Sequence, residues 1–161
     1  VLETLEYIKH ETSCWLELTT LLIPGENDSD EELHQMTNWV VDKLGPDVPM
    51  HFTAFHPDWK MLDIRPTPLA TLTRARRIAL ENGVNYAYTG NVHDNKGSST
   101  WCHSCGELLI ERDWYVLGHW GLDAHGCCSN CGTLLPGHFL EKPGRFGAQR
   151  IPVYLNRYGG E

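Results

Sequence analysis

Along residues 1–94, the spacing of apolar positions switches between a period of two and a period near 3.6. Residues 14–23 alternate, with leucines on one face and Glu17 and Thr19 on the other, which predicts a strand. Residues 50–55 and 84–89 predict two more strands. Because helical patterns fall between them, the chain predicts a parallel sheet with right-handed crossovers and hence an α/β fold.

Two segments between these strands carry the signals of amphipathic helices. The first is predicted to begin near Asp28 or Ser29 and to end at Gly45-Pro46. Ser29 has capping-box spacing to Glu32. The second is predicted to have Pro68 as its first helical residue and to end at Asn82-Gly83.

The remaining 67 residues read as a smaller, β-rich region. Residues 95–99 predict a linker, which divides the chain into domains at 1–94 and 95–161. The predicted strands of the second domain are residues 108–110, residues 114–117 and, at a sheet edge, residues 151–155.

This second domain contains two matching CxxCG motifs, which predict one metal site. Its expected ligands are Cys102, Cys105, Cys128 and Cys131, because two such pairs supply four thiolates to a tetrahedral zinc ion. Rubredoxin-like iron uses the same geometry. Cys127 is an alternative to Cys128, and redox-active CxxC pairs are a third interpretation. Four thiolates leave no open position for a substrate, so a structural role is expected.

Composition narrows the class of protein. The net charge of −8 disfavours nucleic-acid binding, which relies on dense Lys and Arg. No apolar run approaches the roughly 18 residues of a membrane span. The cysteine layout suits metal binding in a reducing compartment better than disulfides, which favours a cytoplasmic protein. Cys14 opens a strand and is expected to be a buried or half-buried thiol.

Candidate chemistry lies where the predicted strands end, because ligands of parallel α/β folds bind at the carboxyl ends of the strands. His56 follows the second strand directly, and His93 and Asp94 follow the third. At each position, the alternative to a ligand-binding role is a structural role in a turn or a helix cap. Glu17 needs a partner if its face is enclosed in a barrel, whereas on an exposed edge strand it needs none.

Three stretches at these strand ends resemble a known family. Residues 21–28, LLIPGEND, resemble a late strand and turn of radical S-adenosylmethionine barrels of the activating-enzyme type. Residues 52–61, FTAFHPDWKM, resemble the next strand, and residues 88–93, YTGNVH, precede a CxxCG pair. Together they are similar to the radical enzyme of the AmmeMemoRadiSam system, related to pyruvate formate-lyase activating enzymes.

The resemblance implies the C-terminal part of a partial (βα)6 barrel followed by a zinc ribbon. His56 matches the family's cofactor-side histidine, and Ile23 and Pro24 match a strand end near the adenine of S-adenosylmethionine. The CxxxCxxC loop that holds the family's [4Fe–4S] cluster is absent from this chain. Thr19 stands where activating enzymes tend to place arginine, so no role is carried over there.

The resemblance also implies partners. A missing N-terminal barrel half would hold the cluster, since residues 1–8 read as the middle of a helix without a cap and predict a fragment of a longer chain. The substrate is open, and a protein of the Memo type is one candidate. The alternative function is a non-catalytic zinc-ribbon module that binds protein or nucleic acid. The aromatic residues near the motifs are expected to form the small core of the ribbon: Trp101, Trp114, Tyr115 and Trp120.

Overall fold

The computed structural model of this protein describes residues 1–144 and 147. Its helices and strands are, in chain order, α1 (Leu2–Glu11), β1 (Leu18–Leu22), α2 (Asp30–Leu44), β2 (Met50–Ala54), α3 (Leu69–Glu81), β3 (Ala87–Gly90), α4 (Asn95–Ser98), β4 (Thr100–Trp101), β5 (Leu108–Asp113) and β6 (Val116–Trp120).

Strands β1, β2 and β3 form a parallel sheet, as the sequence predicts, and lie in that order. In its register, Leu18 lies beside Met50 and Met50 beside Ala87. Strand β1 begins four residues later than the alternating pattern suggests, because its partner β2 begins at Met50, opposite Leu18. The architecture is mixed α/β with two small sheets.

Helices α2 and α3 cover one face of this sheet and bury its core. Phe52, at the centre of β2, is fully buried, and so are Leu22 on β1, Leu33 on α2 and Leu72 on α3. These positions share a face because side chains alternate along a strand and recur every three to four residues along a helix. The opposite face of the sheet carries Glu17, Thr19 and their neighbours.

The helix starts follow local chemistry. Ser29 caps α2 as predicted, since its hydroxyl accepts from the Glu32 N–H and donates to the Glu32 carboxylate at 2.7 Å. Pro68 was predicted to be the first helical residue of α3, but it is the N-cap, because its ψ of 148° is extended.

Residues 95–99 are not the open linker that their composition suggests. Residues 95–98 form α4, capped by Asp94, whose carboxylate accepts from the Gly97 N–H at 2.9 Å. Gly97 is buried, and a Cβ there would collide with the side chains of Asp94 and Thr89. The glycine therefore permits a tight packing contact instead of flexibility.

Strands β4, β5 and β6 form an antiparallel sheet beyond α4. The predicted strand over 114–117 is wrong at its start, because Trp114 and Tyr115 lie in the turn between β5 and β6. Trp114 has a φ of 53°. The rings of Trp114 and Tyr115 are at least half exposed, so the expectation that these two residues form the ribbon core is wrong.

The two sheets share packing. A second hydrophobic cluster joins Tyr86, which precedes β3, to Leu109, Ile110, Cys102 and Cys128 of the ribbon. Among residues 1–144 and 147, no helix is long and apolar enough to cross a membrane. The strand predicted over 151–155 lies outside the described residues.

Candidate metal centre and the neighbouring sheet face

Each CxxCG motif folds into a tight turn that presents its sulfur atoms on one side. The N–H of Gly106 donates to the carbonyl of Cys102 at 2.8 Å, and Gly132 bonds to Cys128 over the same distance. Both glycines have a φ of 76°, a left-handed conformation that glycine adopts without the steric penalty of a side chain. The two turns therefore have the same geometry, as their matching sequences predict.

The sulfur atoms of Cys102, Cys105, Cys128 and Cys131 all lie within 4.8 Å of one another. The Cys102–Cys131 and Cys105–Cys128 sulfur pairs are 3.6 and 3.7 Å apart. A tetrahedral zinc ion with Zn–S bonds of 2.3 Å requires sulfur separations of about 3.8 Å. The four thiols can therefore hold a metal ion such as zinc, and Cys127 is not part of the group.

The site is asymmetric in burial and charge. Burial raises the pKa of the Cys102 thiol to about 11. The hydroxyl and backbone N–H of Thr133 lower the pKa of Cys131 to about 6. Asn130 donates a further hydrogen bond to the sulfur of Cys105 at 3.6 Å. Polar donors thus stabilise thiolates on the exposed side, and a metal ion would supply the compensating positive charge on the buried side.

Nearby histidines and the remaining thiols stand outside this group. His103, His119 and His125 are exposed, as expected of surface residues. His103 hydrogen-bonds to the hydroxyl of Tyr86 at 2.7 Å. Cys14 is exposed, so the expectation of a buried or half-buried thiol is wrong. It lies in the segment between α1 and β1.

The carboxyl ends of β1 and β2 bring Ile23, Pro24 and His56 to one edge of the sheet. Leu22 pairs with Ala54 at the ends of the two strands, so the residues that follow emerge side by side. His56 is exposed, and no hydrogen bond to it occurs within residues 1–144 and 147. Its ring is open to a ligand at this edge, while its cofactor role stays a prediction.

Thr67 holds this edge together, although its position in the sequence indicates only a helix start. Its hydroxyl donates to the carbonyl of Leu22 at 2.5 Å and accepts from the N–H of Phe55 at 2.9 Å. Its own N–H donates to the Phe55 carbonyl at 3.0 Å. One buried side chain therefore ties together the ends of β1 and β2, next to His56.

Asn27 holds the turn that follows β1. Its side-chain oxygen accepts from the N–H of Ile23 at 2.7 Å, and its amide donates to the carbonyl of Leu21 at 3.0 Å. Asp28 accepts from the N–H of Gly25 at 2.8 Å. The Pro-Gly turn is thus built by side chains, and it keeps the backbone of Ile23 at the strand end.

Glu17 is exposed but has a partner. His51 lies 2.8 Å from its carboxylate, and the indole N–H of Trp15 donates to it at 2.7 Å. Partial burial opposes ionisation, yet the hydrogen bonds from Trp15 and His51 outweigh it and lower the pKa of Glu17. His93 is likewise engaged, since the indole N–H of Trp114 donates to its ring at 2.8 Å.

Comparison with known proteins finds one related sequence. The uncharacterized protein MJ0808 of Methanocaldococcus jannaschii is 46% identical over 112 residues, which cover 70% of this chain and 33% of that protein. This chain spans about a third of the length of the relative that it matches. No protein-family model matches this chain. No solved structure matches it either.

Proposed function

We propose that this chain forms the C-terminal part of a radical S-adenosylmethionine enzyme, lining the adenosine and substrate side of a partial (βα)6 barrel. One observation carries the proposal: the parallel strands bring Ile23, Pro24 and His56 to a common edge. Those residues lie in the same stretches that resemble the family. The four-cysteine ribbon follows soon after β3, in the order that the resemblance implies.

The face of the parallel sheet opposite α2 and α3, which the ribbon contacts at Tyr86 and Tyr88, supports a barrel. Helices α2 and α3 cover the other face, whereas Leu21 on this one is 44% exposed. Parallel sheets are usually buried on both faces. Further strands beside β1 would close the sheet and enclose Leu21 and Thr19 within the barrel.

The residues of this chain do not fit an iron–sulfur cluster of that family. No CxxxCxxC spacing occurs in its sequence, and the four grouped thiols are arranged to hold a single tetrahedral ion. In the proposed enzyme, the cluster and the reductive cleavage of S-adenosylmethionine belong to the other barrel half. The contribution of this chain is to place His56 and the Ile23 strand end against the nucleoside.

The test begins with the coding sequence upstream of Val1, where an in-frame segment with a CxxxCxxC loop is expected. The extended protein, reconstituted without oxygen and reduced, should release 5′-deoxyadenosine from S-adenosylmethionine. His56→Ala should weaken cofactor binding by about tenfold, the loss of one good hydrogen bond. His125→Ala, which changes an exposed ring with no hydrogen bond among the described residues, is the matched control.

Two results would overturn this proposal. The first is an upstream segment without the three cysteines. The second is formation of both a visible cluster absorbance band and 5′-deoxyadenosine by the 161-residue chain alone, because its thiols would then be holding the cluster.

For the four-cysteine group, we propose zinc as the ion and a structural role. Its thiolates occupy all four tetrahedral positions, so no position remains for a substrate. The buried sulfur atoms of Cys102 and Cys128 belong to the same hydrophobic cluster as Leu109 and Ile110. The metal would therefore replace core that this small sheet lacks.

A second candidate function is a binding module without catalysis, and the β5–β6 turn favours it. Trp114, Tyr115 and Val116 are 50%, 67% and 60% exposed at adjacent positions. Exposed aromatic rings can stack on bases. Because the net charge is −8, single-stranded RNA is not expected to bind. If oligouridine shifted the mobility of the protein in a salt-dependent way, and Tyr115→Ala abolished that shift, the result would favour a binding module over the enzyme.

A further inference from the structure

A cavity of about 530 Å³ lies between the parallel sheet and the ribbon. The sheet contributes Glu17, His51 and Tyr88 to its wall, and β5 contributes Arg112. Sites for small molecules typically have volumes of about 300–1,000 Å³ and combine apolar walls with a few convergent polar groups. This cavity has both properties, and it lies apart from the His56 edge and from the four thiols.

Arg112 is held at the cavity by neighbours that use only part of its guanidinium group. Its Nη1 donates to the hydroxyl of Thr100 at 2.7 Å and to the carbonyl of Ser98 at 3.3 Å. The guanidinium carbon lies 5.6 Å from the ring centre of Tyr88. The Tyr88 hydroxyl in turn contacts Thr100 at 3.0 Å, which fixes the hydroxyl that Arg112 bonds.

The other two nitrogens of Arg112 are available for a ligand. Within the described residues, neither Nε nor Nη2 donates a hydrogen bond to any protein atom. Together they form the planar fork that matches the two oxygens of a carboxylate. A lysine at this position would offer a charge without that geometry.

The rest of the cavity favours a ligand with an apolar body. Ile110, Leu135 and Phe139 line it beside Arg112. The carboxylate of Glu17, which also lines the cavity, is bound to Trp15 and His51. The His51 ring stacks on Tyr88 with centroids 5.0 Å apart. The cavity wall therefore includes both a positive group, Arg112, and a negative group, Glu17.

We propose that this cavity binds a small organic carboxylate, with its carboxylate on the Nε–Nη2 fork of Arg112 and its apolar body against Ile110, Leu135 and Phe139. The site uses neither His56 nor a cofactor, although His51 and Tyr88 lie on the same sheet face as Thr19, which the barrel proposed above would enclose. It contains no nucleophile in reach of that fork among the residues named, so the inferred activity is binding.

The test uses phenylacetate and its uncharged isostere phenylacetamide with the zinc-loaded 161-residue chain. Binding is followed by the ¹H–¹⁵N signals of the arginine side chains. Phenylacetate should shift the Arg112 Nε–H signal in a saturable way and bind about tenfold more tightly than phenylacetamide, as expected for a charge-assisted bidentate pair. Equal affinities, or shifts that exclude Arg112, would overturn the proposal.

Two variants separate recognition from folding. Arg112→Gln should remove the preference for the carboxylate, whereas Arg77→Gln, which loses only a surface pair with Glu81, should keep it. Because Arg112→Gln also loses its bond to Thr100, retained zinc content is the check on its fold.

Glu17→Gln should change the affinity for phenylacetate in the opposite direction from Arg112→Gln. Removing this negative charge should tighten phenylacetate binding about two- to threefold, since the repulsion is partly screened by water. Binding of phenylacetamide should not change. Glu81→Gln, on the outer surface of α3, is the matched control. Unchanged phenylacetate affinity in Glu17→Gln would contradict the placement of the carboxylate.

Discussion

Replacing Cys128 with serine should reduce the metal content from about one zinc per chain to a small fraction of that value. A serine hydroxyl does not replace a thiolate as a zinc ligand at neutral pH. Cys128 is also only 1% exposed and packs in the ribbon cluster with Leu109 and Ile110. The ribbon should therefore lose its fixed packing together with the metal. Elemental analysis and dispersion of the Leu109 and Ile110 NMR signals measure the two effects.

Cys127→Ser is the matched control, since it changes the adjacent thiol that lies outside the group. It should keep the zinc, and so should Cys14→Ser, which changes an exposed thiol before β1. If Cys128→Ser kept the zinc and Cys127→Ser lost it, Cys127 rather than Cys128 would be the fourth ligand. A coloured iron protein on purification would contradict zinc as the ion.

Replacing Phe52 with alanine should lower the free energy of unfolding by about 3–5 kcal/mol, the usual cost of emptying a fully buried aromatic position. Phe52 is 0% exposed at the centre of the parallel sheet, where α2 and α3 cover it. The cavity would lie between β2 and both helices. Urea unfolding followed by far-ultraviolet circular dichroism measures the change.

Leu62→Ala is the control, because Leu62 is 71% exposed in the loop after β2. Its effect should stay within about 0.5 kcal/mol. Zinc content should be unchanged in both variants, since Phe52 and the ribbon belong to different hydrophobic clusters. Equal destabilisation by the two substitutions would mean that the helices do not pack on this face as described.

Local chemistry explains why much of the fold was predictable. The capping box at Ser29, the alternation around Phe52 and the two CxxCG turns each involve residues only a few positions apart. The parallel direction of the strands followed from this, because helices between strands of one sheet form parallel crossovers.

Two predictions failed where a contact or turn in the folded chain overrode the composition of a short segment. The composition of residues 95–99 suggests a linker, yet Asp94 caps a helix there and Thr89 packs against Gly97. The rings of Trp114 and Tyr115 suggested core, but a turn placed them at the surface. Composition alone reveals neither the cap nor the turn.

The amino-acid sequence alone determined the alternation of strands and helices and the four thiols of the candidate metal centre, because spacing along the chain is sufficient for both. Only the tertiary structure decided that Thr67 joins the ends of β1 and β2 and that Arg112 and Glu17 line the same cavity. These partners are far apart in the chain. Their meeting depends on how the ribbon packs against the sheet, which no periodicity within either region encodes.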